Sequence, residues 1–184
     1  GRAAQRRFAI QSLMSEPLAP REVAKASKNS LFLVFYIGAE RYALQAIDVV
    51  EVLPRLPLKP IPHAPAWVAG VFAHRGQMVP VIDVSAMTFG QPAVERTSTR
   101  LVLVNYQGRL LGLVLEQANE MLRCNPADFQ PYGLDNREAP YLGPVRKDAQ
   151  GLLQWIRVND LLTPAVRGLL FTDADPDLSG QARA

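Results

Sequence analysis

The chain has 184 residues, 48% of them apolar and 20% charged, which is typical of a soluble globular protein and excludes a disordered chain. Six Lys and Arg against two Glu give residues 1–30 a net charge of +4, while the whole chain carries +3, so residues 31–184 sum to −1. The basic balance therefore belongs to the N-terminal segment, which argues against a nucleic-acid-binding face on the folded part.

The single cysteine, Cys124, excludes an internal disulfide and a cysteine-rich metal site, and we interpret it as a small buried hydrophobe. The longest uninterrupted apolar run covers residues 31–37, far short of the roughly 20 residues that cross a bilayer. Residues 1–30 lack the long apolar stretch of a secretory signal. These features predict a cytoplasmic protein.

Residues 1–30 are predicted to form a flexible basic leader. Residues 3–14 could form a short helix that Pro17 ends, but its apolar face is too small for it to fold alone. A basic amphipathic helix that binds a partner or a membrane surface is the alternative.

Strands dominate the next 25 residues. Residues 31–37 and 42–44 are predicted to form a hairpin around a four-residue turn at 38–41. Residues 46–53 suit a helical turn that runs into a strand. Five prolines between positions 54 and 65 then predict a stiff loop that is not helical.

The segment 70–84, which reads G-V-F-A-H-R-G-Q-M-V-P-V-I-D-V, is predicted to be strand, tight turn, strand. Two apolar runs flank His74-Arg75-Gly76, and the glycine can adopt the positive φ that a tight turn needs. This pattern places Arg75 at the tip of a buried hairpin. An ordinary hairpin with a solvated arginine is the alternative.

The second half follows a boundary at residues 89–99 and repeats the outline of the first. A hairpin at 100–116 turns at Gln107-Gly108, and a last hairpin at 141–156 turns through residues 148–151. The other predicted elements are a short strand at 120–123, a polar loop at 125–138, a short helix from residue 158 that ends near Pro164 or continues to Arg167, and a disordered tail at 172–184.

This succession of short strands, with turn signals every 8–12 residues, predicts an all-β fold. The two similar halves suit two barrels of about five strands, with lobes at about 31–90 and 98–157 and then a short helix. Closure of each sheet would remove its exposed edges. The contact between the lobes is then the expected groove for a ligand or partner.

The sequence contains no motif of a nucleotide-binding loop, a nucleophile elbow, a zinc protease or a redox cysteine pair. The two histidines, His63 and His74, lie 11 positions apart without an acidic cluster beside them, which is a poor pattern for a metal site. We therefore predict a non-catalytic binding module without cofactor or metal. An acid/base pair that forms only in space is the alternative, although nothing in the sequence supports it. The scattered carboxylates that it could draw on are Asp48, Glu51, Asp83, Glu116 and Asp160.

Residues 32–162 carry a set of short motifs in a definite order. In the first half they are F-L-V-F-Y-I-G-A-E-R-Y-A-L from Phe32, V-V-E-V at 49–52, P-A-W-V-A-G-V at 65–71, H-R-G at 74–76 and V-P-V-I-D at 79–83. In the second half they are L-V-L-V, G-R-L-L-G-L-V-L-E, Y-L-G and V-N-D-L-L. As a set, this pattern resembles the CheW-like adaptor domain of bacterial chemotaxis-type signalling.

The resemblance implies a domain over residues 31–171 made of two SH3-like five-stranded β-barrels with a groove between them and a short C-terminal helix. It implies a scaffold without catalytic activity that couples the cytoplasmic tip of a methyl-accepting chemoreceptor to the regulatory domain of a CheA-type histidine kinase. Such a protein is cytoplasmic, is recruited to membrane-bound receptor arrays, touches the membrane only through receptors, and binds no nucleic acid.

The resemblance also implies site residues. The family's Asn-Leu-Arg-Gly corresponds to residues 73–76, so its functional arginine and glycine are Arg75 and Gly76. The receptor-facing positions map to Val49 and Glu51, and the groove wall of the second lobe to residues 112–114. The implied receptor- or kinase-binding set is Val49, Glu51, His74, Arg75, Gly76, Gly112, Leu113 and Val114.

The chain departs from the family pattern at several positions. Ala73-His74 replaces the usual Asn-Leu, and Glu116 replaces the usual Asp. These departures favour a specialised pathway, surface-sensing or pilus-linked, over flagellar chemotaxis. A small-barrel protein that binds nucleic acid through a basic N-terminal arm is the alternative from another class, and a cryptic hydrolase is a third.

Overall fold

A computed structural model describes residues 28–172, and the predicted leader and tail lie outside these residues except at their inner ends. Nine strands and two short helices make up the described fold. The strands are β1 (Ser30–Ile37), β2 (Glu40–Gln45), β3 (Val49–Pro54), β4 (Val68–His74), β5 (Gln77–Asp83), β6 (Arg100–Tyr106), β7 (Arg109–Cys124), β8 (Leu142–Asp148) and β9 (Gly151–Ile156). The helices are α1 (Val84–Phe89) and α2 (Pro164–Leu170), with 3-10 turns at Ala46–Asp48, Pro126–Asp128 and Val158–Asp160.

The strands form two five-stranded sheets that share β7. In the first sheet the order is β7-β1-β2-β9-β8, and β2 and β9 run parallel. In the second sheet the order is β3-β6-β7-β5-β4, and β5 and β7 run parallel. Both sheets therefore have the same arrangement. A central hairpin, β1-β2 or β6-β7, has an antiparallel strand on one side. On its other side it has a parallel strand that belongs to a second hairpin.

The hairpins of the two sequence halves are exchanged between the sheets. The β1-β2 hairpin belongs to the first half in sequence but pairs with β7 and β9 of the second half. The β6-β7 hairpin pairs in turn with β3 and β5 of the first half. The first sheet forms the first barrel and the second sheet forms the second barrel. These barrels differ from the predicted lobes at 31–90 and 98–157, because strand pairing crosses between the halves.

The 16-residue strand β7 connects the two barrels physically. Residues 109–115 pair with β6, and residues 116–124 pair with β1. Gln117, with φ of 50°, lies just after the point where the strand leaves one sheet for the other. The separate short strand predicted at 120–123 is therefore the second half of a continuous strand.

The main core lies between the two barrels. Phe32 and Val34 face the interior of the first barrel, whereas the alternate residues Leu33 and Phe35 face the central core that both barrels share. Residues of β6 alternate in the same way between the second barrel and the central core. Strands buried on both faces read as continuous apolar runs, which explains the uninterrupted segments of the sequence. Cys124 is buried as a small hydrophobe in the first barrel.

Two features of the connections differ from the predicted ones. The β1-β2 turn has two residues, since Ile37 pairs with Glu40. Helix α1 follows β5 directly, where no helix was predicted. The carboxylate of Asp83 caps it by accepting a hydrogen bond from the Ala86 N–H, and Gly90 ends it with φ of 74°. None of the helices among residues 28–172 has the length and apolar character needed to cross a membrane.

The proline-rich segment forms the predicted non-helical loop and is held against β4. The backbone of Lys59 makes two hydrogen bonds with Val71, of 2.8 and 2.9 Å. The loop before β8 is held in the same way, by a bridge between Gln130 and Val145. A loop bridged to a strand thus occurs in both halves, which agrees with their likeness. In the second barrel this bridge supports the hairpin that carries Arg75.

Candidate functional site

The β4-β5 hairpin presents Arg75 at its tip, as predicted. His74 and Gln77 are register partners, so the turn has two residues, Arg75 with φ of 51° and Gly76 with φ of 80°. Positive φ at both positions is the turn geometry that matches the twist of the flanking strands. Glycine adopts it freely, whereas an arginine pays about 1 kcal/mol for it. The side chain of Arg75 is therefore held at a defined position above the end of the barrel.

Glu51 lies on β3, the strand at the opposite edge of the same sheet. The register of β3 with β6 shifts between Val49 and Glu51, which leaves Val50 as the extra residue of a bulge. Bulges redirect the side chains that follow them. The side chain of Glu51 is only 5% exposed.

Glu51, His74 and Arg75, which we call the Glu51 cluster, come together across the two edge strands of the second barrel. The Arg75 Nη2 donates a hydrogen bond of 3.0 Å to Glu51 Oε1. The His74 Nε2 lies 3.3 Å from Glu51 Oε2. Three of the predicted binding residues thus share one contact, although 24 positions separate Glu51 from Arg75.

The members of the cluster differ in their access to solvent. The side chain of Arg75 is 68% exposed, whereas that of His74 is 17% exposed. The centre of the His74 ring lies 5.8 Å from the centre of the Phe72 ring. A buried carboxylate needs a cation or hydrogen-bond donors, because burial removes its water. The exposed guanidinium has five donors and can bind a second acceptor group while it contacts Glu51.

The apolar surface beside the cluster differs from the predicted one. Val49 is half-buried and packs against the central core, whereas its neighbours Ile47 and Val50 are exposed. Met78, next to the hairpin turn on β5, is also exposed. Sequence reasoning missed these three residues, although apolar residues beside a turn and beside a bulge are the available signal.

The predicted groove wall at residues 112–114 is wrong as a surface. Leu113 and Val114 are buried, Leu113 in the central core and Val114 in the second barrel. A Cβ at Gly112 would lie 2.8 Å from Val81 Cγ2, so this glycine lets β5 and β7 approach closely. These residues lie in the interior because β5 and β6 flank β7 in the sheet and core side chains pack on it, so their side chains form no exposed groove wall.

The described part of the chain contains no candidate metal centre. Among residues 28–172, no three His, Cys, Asp or Glu side chains lie close enough together to hold a metal ion. His63 is exposed in the proline-rich loop, apart from the Glu51 cluster. Asp83 serves as the helix cap described above, and burial raises the pKa of Asp48, just before β3.

A second ionic cluster lies in the first barrel. Arg41 on β2 donates hydrogen bonds of 2.8 and 3.1 Å to the two carboxylate oxygens of Asp148 at the end of β8. The hydrogen bond from Arg41 is the main cause of the lowered pKa of Asp148, and the same contact raises the pKa of Arg41. The side chain of Arg41 is 6% exposed, so this pair braces the barrel instead of facing a ligand.

Comparison with known proteins identifies relatives that match much of the described fold. Residues 31–165 match the CheW-like domain family. The chain is 32% identical over 100 residues to a chemotaxis protein CheW of Rhizobium meliloti, covering 54% of this chain and 64% of that protein. It is 27% identical over 135 residues to a chemotaxis protein CheW of Helicobacter pylori, covering 71% and 80%. It is 30% identical over 125 residues to protein FrzA of Myxococcus xanthus, covering 67% and 78%.

The fold has a solved counterpart. The crystal structure of the scaffolding protein TtCheW from Thermoanaerobacter tengcongensis superposes with a TM-score of 0.69 at 20% identity, covering 83% of this chain and 93% of that one. The predicted fold class, two SH3-like five-stranded β-barrels with a short C-terminal helix, is confirmed. The chain spans just under two thirds of the length of the Rhizobium meliloti protein.

Proposed function

This chain belongs to the CheW-like domain family, and on that premise we propose that it is a non-catalytic adaptor. It couples the cytoplasmic tip of a methyl-accepting chemoreceptor to the regulatory domain of a CheA-type histidine kinase. The protein acts in the cytoplasm and reaches the membrane only through the receptors that it binds. Relatives named as chemotaxis proteins, which include a solved scaffolding protein, support this proposal.

The observation that carries the proposal is the Glu51 cluster. Glu51, His74 and Arg75 were each expected at the binding surface, and they meet within 3.3 Å at one end of the second barrel. A purely structural ion pair would not require an arginine at a strained tip position with most of its side chain in solvent. The cluster instead suits a surface that exchanges one ionic partner for another.

Receptor binding would use this surface for a helical partner. Helices dock by apolar anchors spaced along one face, together with a few charges that fix the register. Val50 and Met78 supply exposed apolar surface on the two elements that carry the cluster. Arg75 would receive an acidic side chain of the helix, and Glu51 would hold Arg75 in position until then.

Kinase binding would use a surface apart from the Glu51 cluster. A separate surface is necessary because an adaptor must hold both partners at once. The departures at Ala73 and His74 support a specialised receptor, of a surface-sensing or pilus-linked pathway.

The proposal is tested by bridging in a three-component pull-down. An immobilised receptor-tip fragment should retain a CheA regulatory domain only when the full chain is added, both partners being taken from the organism that encodes it. The Arg75→Ala variant should lose the receptor contact and keep the kinase contact. An Arg137→Ala variant is the matched control, because Arg137 is exposed and pairs with its neighbour Asp135. Failure of the wild-type chain to retain either partner would contradict the adaptor function.

A further inference from the structure

The proline-rich loop between β3 and β4 is a feature of the sequence that the adaptor function does not explain. Within the described residues 55–61 the backbone forms neither helix nor turn. A proline fixes its own φ at about −65°, and the residue before it is restricted to extended or polyproline II conformations. Leu56, Lys59 and Ile61 each precede a proline. Most of this segment is therefore confined to the polyproline II region.

Exposure along the segment repeats every three residues, which is the period of a polyproline II helix. One face, which we call the proline face, is exposed at every position and consists of Pro54, Pro57 and Pro60. A second face is half-buried at every position and consists of Arg55, Leu58 and Ile61. The segment thus lies on the second barrel along one face and presents its prolines to solvent along another.

Contacts of the loop with the second barrel hold this conformation in place. Leu58 packs against the interior of the barrel, and the Arg55 Nε donates a hydrogen bond of 3.0 Å to Glu95 Oε1. The backbone of Lys59 is bonded to that of Val71 on β4. A loop that only protects the edge of β4 would need these contacts, but it would not need a row of prolines in solvent.

We propose that the proline face and Lys59 form a docking surface for a separate protein domain with an aromatic-lined groove and a carboxylate beside it, as in SH3 domains. Segments with the spacing P-x-x-P bind in such grooves as preformed polyproline II helices. Residues 54–60 contain this spacing twice. Lys59 is exposed beside the proline face and supplies the cation for the carboxylate.

This docking surface is separate from the Glu51 cluster, and the inference does not rest on the adaptor function. The loop enters β4 at Val68, whereas Arg75 follows the last residue of that strand. Binding is favoured because the barrel already holds the segment in one conformation. Little conformational entropy then remains to be lost when the domain binds.

The surface is tested with a panel of purified SH3 domains that carry acidic residues beside the aromatic groove. Each is titrated against a free peptide of residues 53–62 and against the full chain. At least one domain should bind the peptide, and that domain should bind the full chain as tightly or more tightly, with NMR shifts at the Leu58 and Lys59 amides. Absence of peptide binding throughout the panel would overturn the proposed chemistry. Binding of the peptide without binding of the full chain would overturn the docking surface.

Variants of the full chain locate the contact. Pro57→Ala and Pro60→Ala should each weaken the binding about tenfold, as expected for central interface residues. Lys59→Glu changes only an exposed side chain and should weaken it by a similar factor, so it decides the question even where a proline variant fails to fold. Pro92→Ala is the matched control, because Pro92 is exposed outside the loop. Wild-type affinity in all of these variants would show that the proline face is not a binding surface.

Discussion

At the scale of single residues, an ion pair between Arg41 and Asp148 stabilises a buried charge in the first barrel. Arg41→Met should lower the free energy of unfolding by about 3 kcal/mol, because breaking a buried pair leaves a carboxylate without its main partner. Urea denaturation measures the change. The exposed pair of Arg137 and Asp135 is the control, and Arg137→Met there should change stability by less than about 0.5 kcal/mol.

The same pair predicts a pH dependence of stability. The pKa of Asp148 is lowered in the folded protein by its hydrogen bonds from Arg41, so the pair contributes fully above the ordinary aspartate pKa of about 3.9. The contribution is lost as the pH falls from about 4 through the lowered pKa. Wild type should therefore lose more stability than Asp148→Asn between pH 5 and pH 2.5 in thermal unfolding. Parallel curves for the two proteins would contradict this assignment.

At this scale the sequence predicted the local backbone geometry better than it predicted the contacts between side chains. The glycine after Arg75 marked the tip of the hairpin, because few other residues adopt positive φ so easily. The contact of Arg75 with Glu51 was not predictable, since it depends on closure of a barrel between strands 24 positions apart. Gly112 was misplaced for the same reason, because its neighbours come from β5 and β6.

At the scale of elements, the close contact between the proline-rich loop and β4 depends on Gly70. Its φ is +143°, and a Cβ there would lie 2.6 Å from the Lys59 carbonyl oxygen. Gly70→Ala should therefore detach the loop and destabilise the protein by about 2 kcal/mol or more. The amides of Lys59 and Val71 each donate to the other residue's carbonyl oxygen, so their hydrogen exchange should report the detachment.

Gly38→Ala is the matched control for this prediction. Gly38 also has a positive φ, of 61°, but nothing lies within 4 Å of the added methyl group. Its cost should be limited to the left-handed conformation, about 1 kcal/mol, and the amides of the loop should stay protected. Equal loss of protection in the two variants would show that conformation, and not the close contact, holds the loop.

Secondary-structure elements were predictable where a short stretch of sequence marks them. Hairpins were predictable because a glycine between two apolar runs marks each of them. Helix α1 was not predicted, since six residues are too few for a helical period, although Asp83 and Gly90 carried its cap signals. Pro164 begins helix α2 and does not end the preceding one. The 16-residue length of β7 was hidden because its two halves serve different barrels.

At the scale of the whole molecule, the exchange of hairpins makes the barrels interdependent. Each barrel takes strands from both halves of the chain, and the central core contains residues of both. We expect one cooperative unfolding transition. Trp67→Phe leaves Trp155, which packs against the core of the first barrel. Trp155→Phe leaves Trp67, which packs against the central core. Their fluorescence midpoints in urea should coincide, and two separate midpoints would contradict interdependence.

The two-barrel architecture was predictable from the sequence, whereas the assignment of each hairpin to its barrel was not. Strand-rich halves with evenly spaced turns indicated two small barrels, and the pairing pattern that the two sheets share explains why the halves look alike. The same likeness hid the exchange, because a hairpin of either half carries the pattern that fits either barrel. The predicted groove between the lobes is occupied by the central core, which is why we propose the exposed end of the second barrel as the binding surface.

We propose that the Glu51 cluster transmits a receptor signal to a kinase. The most direct test is kinase autophosphorylation in a reconstituted mixture of the chemoreceptor in membrane vesicles, a CheA-type kinase and this chain. The wild-type chain and Arg137→Ala should both allow the receptor to stimulate the kinase. Arg75→Ala should fold with an unchanged circular dichroism spectrum and reduce the stimulation about tenfold or more, as expected for loss of a central interface residue. Stimulation by Arg75→Ala equal to that of the wild-type chain would contradict the account.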